Sequence, residues 1–242
     1  MLTLGIEKRP SFWLLVGLAL SLPLAHLLPV SWGWENGPLE TLQALTLLAG
    51  CLTAAWSAWS QRRQSGAAIW RIAAILWLCM LGRELAWGAV FYAPLGMDAH
   101  SGPLYSSSVL WFKPAVKWVC AALLVLCMFW VWRCRLLGRV LWPWLQQRLM
   151  PWDCLLVFVL SMLLSANAEG HSYLPLLQSL PIGGMVAEEM AECWAYACLW
   201  WAQWHLIACT TAWWRGSRMP MHLRYLDSSV RPSLHPSPSQ SL

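Results

Sequence analysis

Charged residues are scarce in this chain of 242 residues, since Asp, Glu, Lys and Arg together make up 11% of it. A soluble domain usually carries about 25% charged residues, so the chain falls outside that class. Long apolar runs take their place, and 59% of the residues are hydrophobic. A run of about 20 apolar residues crosses the hydrocarbon core of a bilayer. The composition therefore predicts an all-α protein, a polytopic transmembrane helix bundle without a separate soluble domain.

Several signatures of familiar chemistry are also missing. The sequence has no Walker loop, no Gly-x-Ser-x-Gly elbow and no His-Glu-x-x-His helix, so the common nucleotide, hydrolase and zinc-protease sites lack their motifs. The nine cysteines include no Cys-x-x-Cys pair, and most of them lie inside apolar runs. We therefore expect them to be small apolar packing residues rather than disulfides or metal ligands.

Six apolar runs predict six membrane spans. The first follows Lys8 and Arg9 and resembles a signal peptide, but it is longer than the roughly 7 to 15 residues of a usual h-region. We expect it to be retained as a helix. A tail rich in Ser and Pro, residues 228–242, is expected to be disordered in the cytoplasm. The expected spans, within a transmembrane domain of residues 1–227, cover residues 11–30, 39–59, 68–93, 114–132, 152–168 and 182–214.

The placement of basic residues predicts the orientation. All but three of the 16 Lys and Arg residues precede the first span, follow the sixth, or lie between the second and third or the fourth and fifth, if Arg71 at the very start of the third is included. The positive-inside rule puts these segments, and both termini, in the cytoplasm of a bacterial inner membrane. The net charge of +5 thus indicates topology in a lipid bilayer rather than a nucleic-acid partner.

Tryptophan is abundant, with 21 residues, most of them near predicted span ends. Amphipathic indole rings collect at the level of the lipid headgroups, so we interpret them mainly as an aromatic belt. An aromatic cage for a cationic ligand is the alternative interpretation.

Arg83 and Glu84 interrupt the third apolar run. An ionisable residue inside a span costs about 2.5 to 3.5 kcal/mol on insertion scales, so such residues are rare and commonly functional. Neighbouring residues of a helix point roughly 100° apart, so we expect each to find its partner on another helix. Counted from the outer end of the run at about 1.5 Å per residue, Glu84 is expected to lie roughly 13 Å deep.

Further carboxylates are predicted near the outer face. Glu188 and Glu192 are four residues apart and share a helix face, whereas Glu189 is expected to point elsewhere. A bound cation, an Arg side chain or a shared proton would relieve the repulsion between like charges at this spacing. Glu40 opens the second span, where the helix dipole alone favours an acid. The candidate substrate- or ion-binding residues are therefore Arg83, Glu84, Glu188, Glu189, Glu192 and Glu40, and no catalytic residue is assigned.

Two outer segments combine carboxylate with imidazole. They hold Glu169 with His171, and Asp98 with His100. Carboxylate and imidazole ligands suit zinc, iron or manganese, although no tight spacing such as His-x-x-x-His accompanies them. These four residues are candidate metal ligands. The identity of any cofactor stays open, and a divalent metal is the one class that these residues indicate.

Three motifs carry a resemblance to a known group. They are Glu-x-Gly-x-x-Glu at residues 35–40, Arg-Glu-x-x-Trp-Gly at 83–88 and Glu-Glu-x-x-Glu at 188–192. Through these motifs the chain resembles an uncharacterised family of bacterial multi-pass inner-membrane proteins. The resemblance extends from about residue 35 to about residue 210. It departs from that pattern at Ala89, where the family has a polar residue. The resemblance implies a helical membrane fold and an inner-membrane location, and it implies no activity.

Three functions remain open on the sequence. The first is binding or transport of a proton, a metal ion or a cationic group by the acidic site, because intramembrane carboxylates are typical of ion paths. The second is a membrane-embedded enzyme acting on a lipid or lipid-linked substrate, with a glutamate as general base and Arg83 holding a phosphate or carboxylate. The third is a structural or assembly subunit whose charges pair with a partner membrane protein or a second copy of the chain.

Overall fold

The computed structural model describes residues 9–64, 66–98, 102–171 and 184–217, with side chains from residue 12 to residue 211 within those ranges. Met1–Leu206 and Ile207–Leu242 are two compact units. The described part of the second unit is helical, and the hydroxyls of Thr210 and Thr211 both donate to the carbonyl of Ile207. The expected disordered tail, 228–242, lies outside the described residues.

The described chain is mostly helical, as the sequence predicts. Short 3₁₀ segments cover Val30–Gly33, Ala86–Phe91 and Ser107–Val109, and a π-helical turn covers Leu137–Leu141. Two short antiparallel strands, β1 (Gly96–Asp98) and β2 (Gly102–Leu104), pair with Met97 opposite Pro103. The α-helices are α1 (Arg9–Ala25), α2 (Pro38–Ser60), α3 (Ala67–Glu84), α4 (Lys113–Arg133), α5 (Trp142–Gln146), α6 (Trp152–Ala168) and α7 (Met185–Ser217).

Three of the expected spans match their helices closely, since α2, α4 and α6 begin and end within one residue of the predicted bounds. The first helix ends at Ala25 rather than at residue 30. The last begins at Met185, and residues 182 and 183 of the expected span lie outside the described residues. The short helix α5 and the hairpin of β1 and β2 were not predicted, because neither stands out from the apolar or loop sequence around it.

The third apolar run is not one continuous helix, contrary to the expectation from the sequence. Helix α3 ends at Glu84, nine residues before the expected end of the span at residue 93. The chain turns because Ala86, Trp87 and Gly88 have φ angles of 43°, 59° and 99°, values that end a right-handed helix. Glu84 is therefore the last residue of α3. The expected unbroken helix up to residue 93 is wrong, so the depth of about 13 Å that was counted along it loses its basis.

Gly82 and Gly88 allow the chain to turn at the end of α3. A Cβ atom on Gly82 would lie 2.7 Å from Cζ3 of Trp87, so only glycine lets the indole ring fold back onto the end of α3. Gly88 takes the left-handed conformation at little cost, as glycine does. Two non-glycine residues at positive φ beside Glu84 are uncommon, and such backbone tends to cluster at functional sites.

Hydrogen bonds near the start of α7 and further along it show in which directions α2 and α3 run relative to α7. Gln43, early in α2, donates to Glu189, early in α7, while Thr53, later in α2, accepts from Gln203, later in α7. Helix α2 therefore runs parallel to α7. Trp77, in the middle of α3, also donates to Gln203, and the end of α3 lies beside the start of α7. Helix α3 therefore runs antiparallel to α7.

Helix α1 runs antiparallel to α7 as well. Leu18 of α1 and Val157 of α6 pack with Cys198 of α7, whereas Ala25, at the end of α1, packs with Ala187, near the start of α7. Helix α6 follows the same direction as α1, because its last turns contact the start of α7.

Helix α4 packs on α3 at the edge of the bundle. Arg71, at the start of α3, lies over the ring of Trp130, near the end of α4, at 5.9 Å from the ring centroid. These two helices are therefore antiparallel. Each long helix after the first thus runs opposite to the long helix before it in the sequence.

The apolar surface of α4 is largely uncovered. Cys127 is its one buried residue, and Trp118, Val125 and Trp132 expose 69%, 68% and 75% of their surface. Two segments, Val30–Ser60 and Lys113–Arg133, are long and apolar enough to cross a membrane, and Phe12–Ala25 and Trp152–Ala168 are shorter apolar helices. None of the nine cysteines forms a disulfide.

The tryptophans divide between the surface and the core. Trp56 and Trp59 are exposed, as residues of an aromatic belt would be. Trp70 and Trp144, expected in the same belt, are instead buried and lie with their ring centroids 6.1 Å apart. Buried tryptophans fill space between helices, so these two do not belong to a surface belt.

We expect Gly50→Ala to destabilise the protein, because a Cβ atom on Gly50 would lie 2.6 Å from the ring of buried Trp77. Overpacking of this kind costs about 1–3 kcal/mol. Gly138→Ala is the matched control, since that glycine is also helical and nothing lies within 4 Å of the added atom. Thermal unfolding in detergent should show a lower midpoint for Gly50→Ala and an unchanged or higher midpoint for Gly138→Ala. Equal midpoints would contradict the close packing of α2 against α3.

Candidate functional site

Three carboxylates from two helices meet where α3 ends and α7 begins. Glu84 is the last residue of α3, and Glu189 and Glu192 lie in the first two turns of α7. One oxygen from each side chain lies within 4.8 Å of the other two. Glu192 is buried, and Glu84 and Glu189 are partly exposed, so the cluster can be reached from one side. We call these three residues the acidic cluster.

Neighbouring helices supply hydrogen bonds to the acidic cluster. Ser165, near the end of α6, donates to Oε1 of Glu192 at 3.1 Å, and the Tyr196 hydroxyl donates to Oε2 at 3.3 Å. From α2, Nε2 of Gln43 donates to Oε2 of Glu189 at 2.6 Å and to the Glu189 carbonyl at 2.8 Å. Four helices therefore hold the acidic cluster.

Gln43 is the most deeply placed of these groups, because its side chain is fully buried. Its Nε2 is satisfied, but its Oε1 has no hydrogen-bond partner among the described residues. Leaving a buried acceptor unpaired costs about 1–3 kcal/mol. Such a group beside three carboxylates needs an explanation, since most buried polar atoms are paired.

The electrostatics of the acidic cluster are unbalanced. In the part of the chain that the structure describes, no Lys or Arg side chain lies within 4 Å of its carboxylates. Arg83 is exposed and acts on Glu84 only from a greater distance, as Glu40 does with the opposite sign. The N-terminus of α7 favours acids, but Glu84 lies at the C-terminus of α3, where the helix dipole opposes a negative charge.

The partner of Glu192 differs from the one the sequence predicts. We expected Glu188 and Glu192 to meet and Glu189 to point elsewhere, but Glu189 belongs to the acidic cluster and Glu188 does not. Residues three apart on a helix are neighbours as well as residues four apart. The position of α3 beside α7 determines whether Glu189, three residues before Glu192, or Glu188, four residues before it, joins the acidic cluster. Glu188 is half-buried and lies near Glu169 as well as Glu192.

Glu40 also lies outside the acidic cluster. Its Oε2 accepts from the backbone N–H of Asn36, just ahead of α2. This bond satisfies a backbone donor at the start of the helix, which agrees with a favourable helix-dipole position. Glu40 adds negative charge near Glu84 and Glu192, but its own bonding is local.

Of the residues expected to bind metal through imidazole, those that the structure describes do not join the acidic cluster. Glu169 and His171 are exposed and lie 3.6 Å apart, in the turn after α6. Asp98 is exposed at the end of β1, and His100 lies outside the described residues. Among the described residues, the one group of three potential ligands that converges is Glu84, Glu189 and Glu192.

Sequence reasoning missed Gln43, Ser165 and Tyr196. Each is an uncharged polar residue in a largely apolar helix, and such residues are commonly satisfied within the bundle. For Gln43 one signal was available, since an amide in the interior of an expected span needs a partner on another helix. The identity of that partner depends on helix packing and cannot be derived from spacing along one helix.

Below the acidic cluster, the interface of α2, α3 and α7 becomes apolar. Leu47, Trp77 and Tyr196 form a buried core there. The next polar junction lies beyond it, where Gln203 accepts from Nε1 of Trp77 at 2.7 Å and donates to Thr53 at 2.7 Å. Within the described residues, the acidic cluster is therefore closed towards that junction.

No protein-family model, curated protein or solved structure matches this chain. The interpretation of the acidic cluster therefore rests on its geometry and chemistry.

Glu84→Gln should stabilise the protein when metal ions are removed by a chelator at neutral pH. Removing one of three crowded negative charges relieves part of a repulsion of about 3–4 kcal/mol per pair at an effective dielectric of 20. Glu188→Gln is the matched control, because it removes the same charge from the same region outside the acidic cluster. Thermal unfolding should show a clear gain for Glu84→Gln and a smaller one for Glu188→Gln. A loss of stability in Glu84→Gln alone would show that its charge is compensated already.

Proposed function

We propose that the chain is a multi-pass protein of the bacterial inner membrane, with six spans, both termini in the cytoplasm, and a cation-binding acidic cluster that opens towards the outer face. The location agrees with the resemblance to a bacterial inner-membrane family carried by the motifs at residues 35–40, 83–88 and 188–192. The single observation that carries the function is the convergence of Glu84, Glu189 and Glu192.

The directions of the helices support six spans. A chain that crosses a bilayer six times through short connections must alternate in direction, and the six long helices do alternate. Helices α3 and α7 are not among the segments that are long and apolar enough to cross a membrane, and they carry Arg83 and the glutamates of the site. Helix α3, with 18 residues, is about 27 Å long at 1.5 Å per residue, close to the roughly 30 Å of the hydrocarbon core.

The exposed face of α4 supports a membrane environment. A soluble protein rarely leaves so large an apolar surface in water, and in a bilayer that surface would contact lipid tails. A membrane-protein partner or a second copy of this chain is the other environment that would cover the same face.

The acidic cluster is best explained as a cation site. Two unit charges 4 to 5 Å apart repel by about 3–4 kcal/mol at an effective dielectric of 20. A folded protein holds three such carboxylates together only where something offsets the repulsion. No basic side chain does so at close range among the described residues, so a cation supplied from solution fits the arrangement. Protons, metal ions and organic cations are all members of this class.

Binding is favoured over passage through the membrane in this conformation. The apolar core formed by Leu47, Trp77 and Tyr196 separates the acidic cluster from the Gln203 junction. A conducting path would need polar groups or water along its length. A transport cycle would require the core below the acidic cluster to open.

A lipid-processing enzyme is the second candidate function, and one observation favours it. Arg83 precedes Glu84 at the end of α3, its side chain is exposed, and no carboxylate lies within 4 Å of it among the described residues. An exposed guanidinium beside a cation site would suit a phosphate or carboxylate group of a lipid. Incubation with total lipid extract should then give a product that a chelator abolishes and that Arg83→Gln reduces.

Reporter fusions test the topology. Alkaline phosphatase, which is active only outside the cytoplasm, should be active when fused after Ser106 and inactive when fused after Arg62 or Arg148. Green fluorescent protein fused after Leu242 should fluoresce. Phosphatase activity at Arg148, or recovery of the full chain in the soluble fraction, would contradict the six-span arrangement.

Cation-dependent stability tests the acidic cluster. The wild type, stripped of metal, should gain thermal stability from acid or from at least one of Na⁺, Mg²⁺, Mn²⁺ and tetramethylammonium, because each neutralises crowded carboxylates. A variant with Gln at positions 84, 189 and 192 should gain much less under the same conditions. The proposal fails if the two proteins respond alike to every cation and to acid.

A further inference from the structure

We infer that Gln43 completes the acidic cluster as a site for a hard divalent cation, namely Mg²⁺, Mn²⁺ or Ca²⁺. This inference rests on the cation site proposed above and narrows it to one class of ion. The ligands would be one carboxylate oxygen each from Glu84, Glu189 and Glu192, together with Oε1 of Gln43.

The spacing of the carboxylates suits a single metal ion. Two oxygens bound to the same ion at about 2.1–2.5 Å lie no more than about 5 Å apart. The three oxygens of the acidic cluster lie within 4.8 Å of one another. Small side-chain movements would bring all three onto one ion, without rearrangement of α3 or α7.

The buried amide of Gln43 is the independent observation. It is fully buried, its Nε2 lies 2.6 Å from Oε2 of Glu189, and its Oε1 is unpartnered. A half-turn of the amide exchanges Nε2 and Oε1, which would bring Oε1 to the position facing the Glu189 carboxylate. Without a cation the two oxygens would repel, whereas with a cation between them both become ligands. The half-turn would also release Nε2 from both of its acceptors on Glu189.

The donor set selects a hard ion. Carboxylate and amide oxygens suit Mg²⁺, Mn²⁺ and Ca²⁺, whereas thiolate and imidazole favour zinc or copper. Cys193 is the nearest candidate for a soft ligand, one turn after Glu189, but its thiol donates to the carbonyl of Leu39 at 3.6 Å. His171 pairs with Glu169 on an exposed turn. Neither belongs to the group of converging ligands.

The site also leaves room for an exogenous ligand. Ser165 and Tyr196 occupy lone pairs of buried Glu192, so that carboxylate is held in place as a ligand. Glu84 and Glu189 are partly exposed, and the remaining coordination positions of the ion would face the open side. Mg²⁺ and Mn²⁺ commonly keep water or a substrate oxygen in such positions.

Titration of the detergent-purified full chain with Mn²⁺ tests this inference. The wild type, stripped of metal, should bind one Mn²⁺ per chain, and Mg²⁺ or Ca²⁺ should displace it. Binding should be lost in Glu84→Gln and Glu189→Gln and should weaken about 10- to 100-fold in Gln43→Met, a typical loss when a supporting group of a metal site is removed. Gln203→Met is the matched control, because Gln203 is also a buried glutamine but bonds to Trp77 and Thr53.

Gln43→Glu separates a ligand from a structural residue. If Gln43 is a ligand, a fourth carboxylate should tighten Mn²⁺ binding while lowering the stability of the metal-free protein. A residue with only a structural role would give weaker or unchanged Mn²⁺ binding in Gln43→Glu. Gel filtration and circular dichroism establish that each variant is folded before it is titrated.

The possible failures are distinguishable. A folded wild type that binds no divalent ion, but is stabilised by acid or a monovalent cation through its glutamates, would overturn this inference and leave the cation site standing. Equal Mn²⁺ affinity in Gln43→Met and Gln203→Met would remove Gln43 from the site. Stoichiometric Mn²⁺ binding that persists in the variant with Gln at positions 84, 189 and 192 would overturn both proposals.

Discussion

The register between α2, α3 and α7 determines where everything else in the bundle lies. Trp77 of α3 packs into the space left by Gly50 of α2 and donates its indole N–H to Gln203 of α7. Gln203 in turn donates to the Gly50 carbonyl and to Thr53. Because hydrogen bonds are directional, this junction resists both sliding and rotation of the three helices, which apolar packing alone would permit.

The acidic cluster follows from that register. Glu84 lies seven residues, or two helical turns, beyond Trp77 on the same face of α3. The antiparallel helix α7 brings its first turns to the same height, so Glu84 meets Glu189 and Glu192. The turn after Glu84 then directs the chain away, because Gly82 accepts the ring of Trp87 and residues 86–88 adopt positive φ. A continuous helix would instead have carried the chain past the site.

Much of the fold could be predicted from the sequence, because hydrophobic length and the positions of helix ends are local properties. The bounds of α2, α4 and α6 agree closely with their apolar runs. The end of α3 could not be found in this way, since residues 85–93 remain apolar and the positive φ angles depend on the packing of Trp87 over Gly82. The six-span topology, with which the alternating helices agree, and the inner-membrane location stay predictions.

The site was predictable in part for similar reasons. Ionisable residues in apolar runs identified Glu84, Glu189 and Glu192 as candidates, but the spacing along one helix favoured Glu188 over Glu189. That choice depends on where α3 lies around α7, which is a property of tertiary packing. The partners of Gln43 and Ser165 could not be identified, because each lies more than 25 positions away in the sequence.

The most direct measurement is an anomalous difference map from crystals of the full chain soaked in Mn²⁺. We expect one peak among the carboxylates of Glu84, Glu189 and Glu192, with an oxygen of the Gln43 amide facing it. Crystals of Glu84→Gln soaked in the same way should lack that peak. A map without density there, or with its only peak beside Glu169 and His171, would contradict a cation site at the acidic cluster.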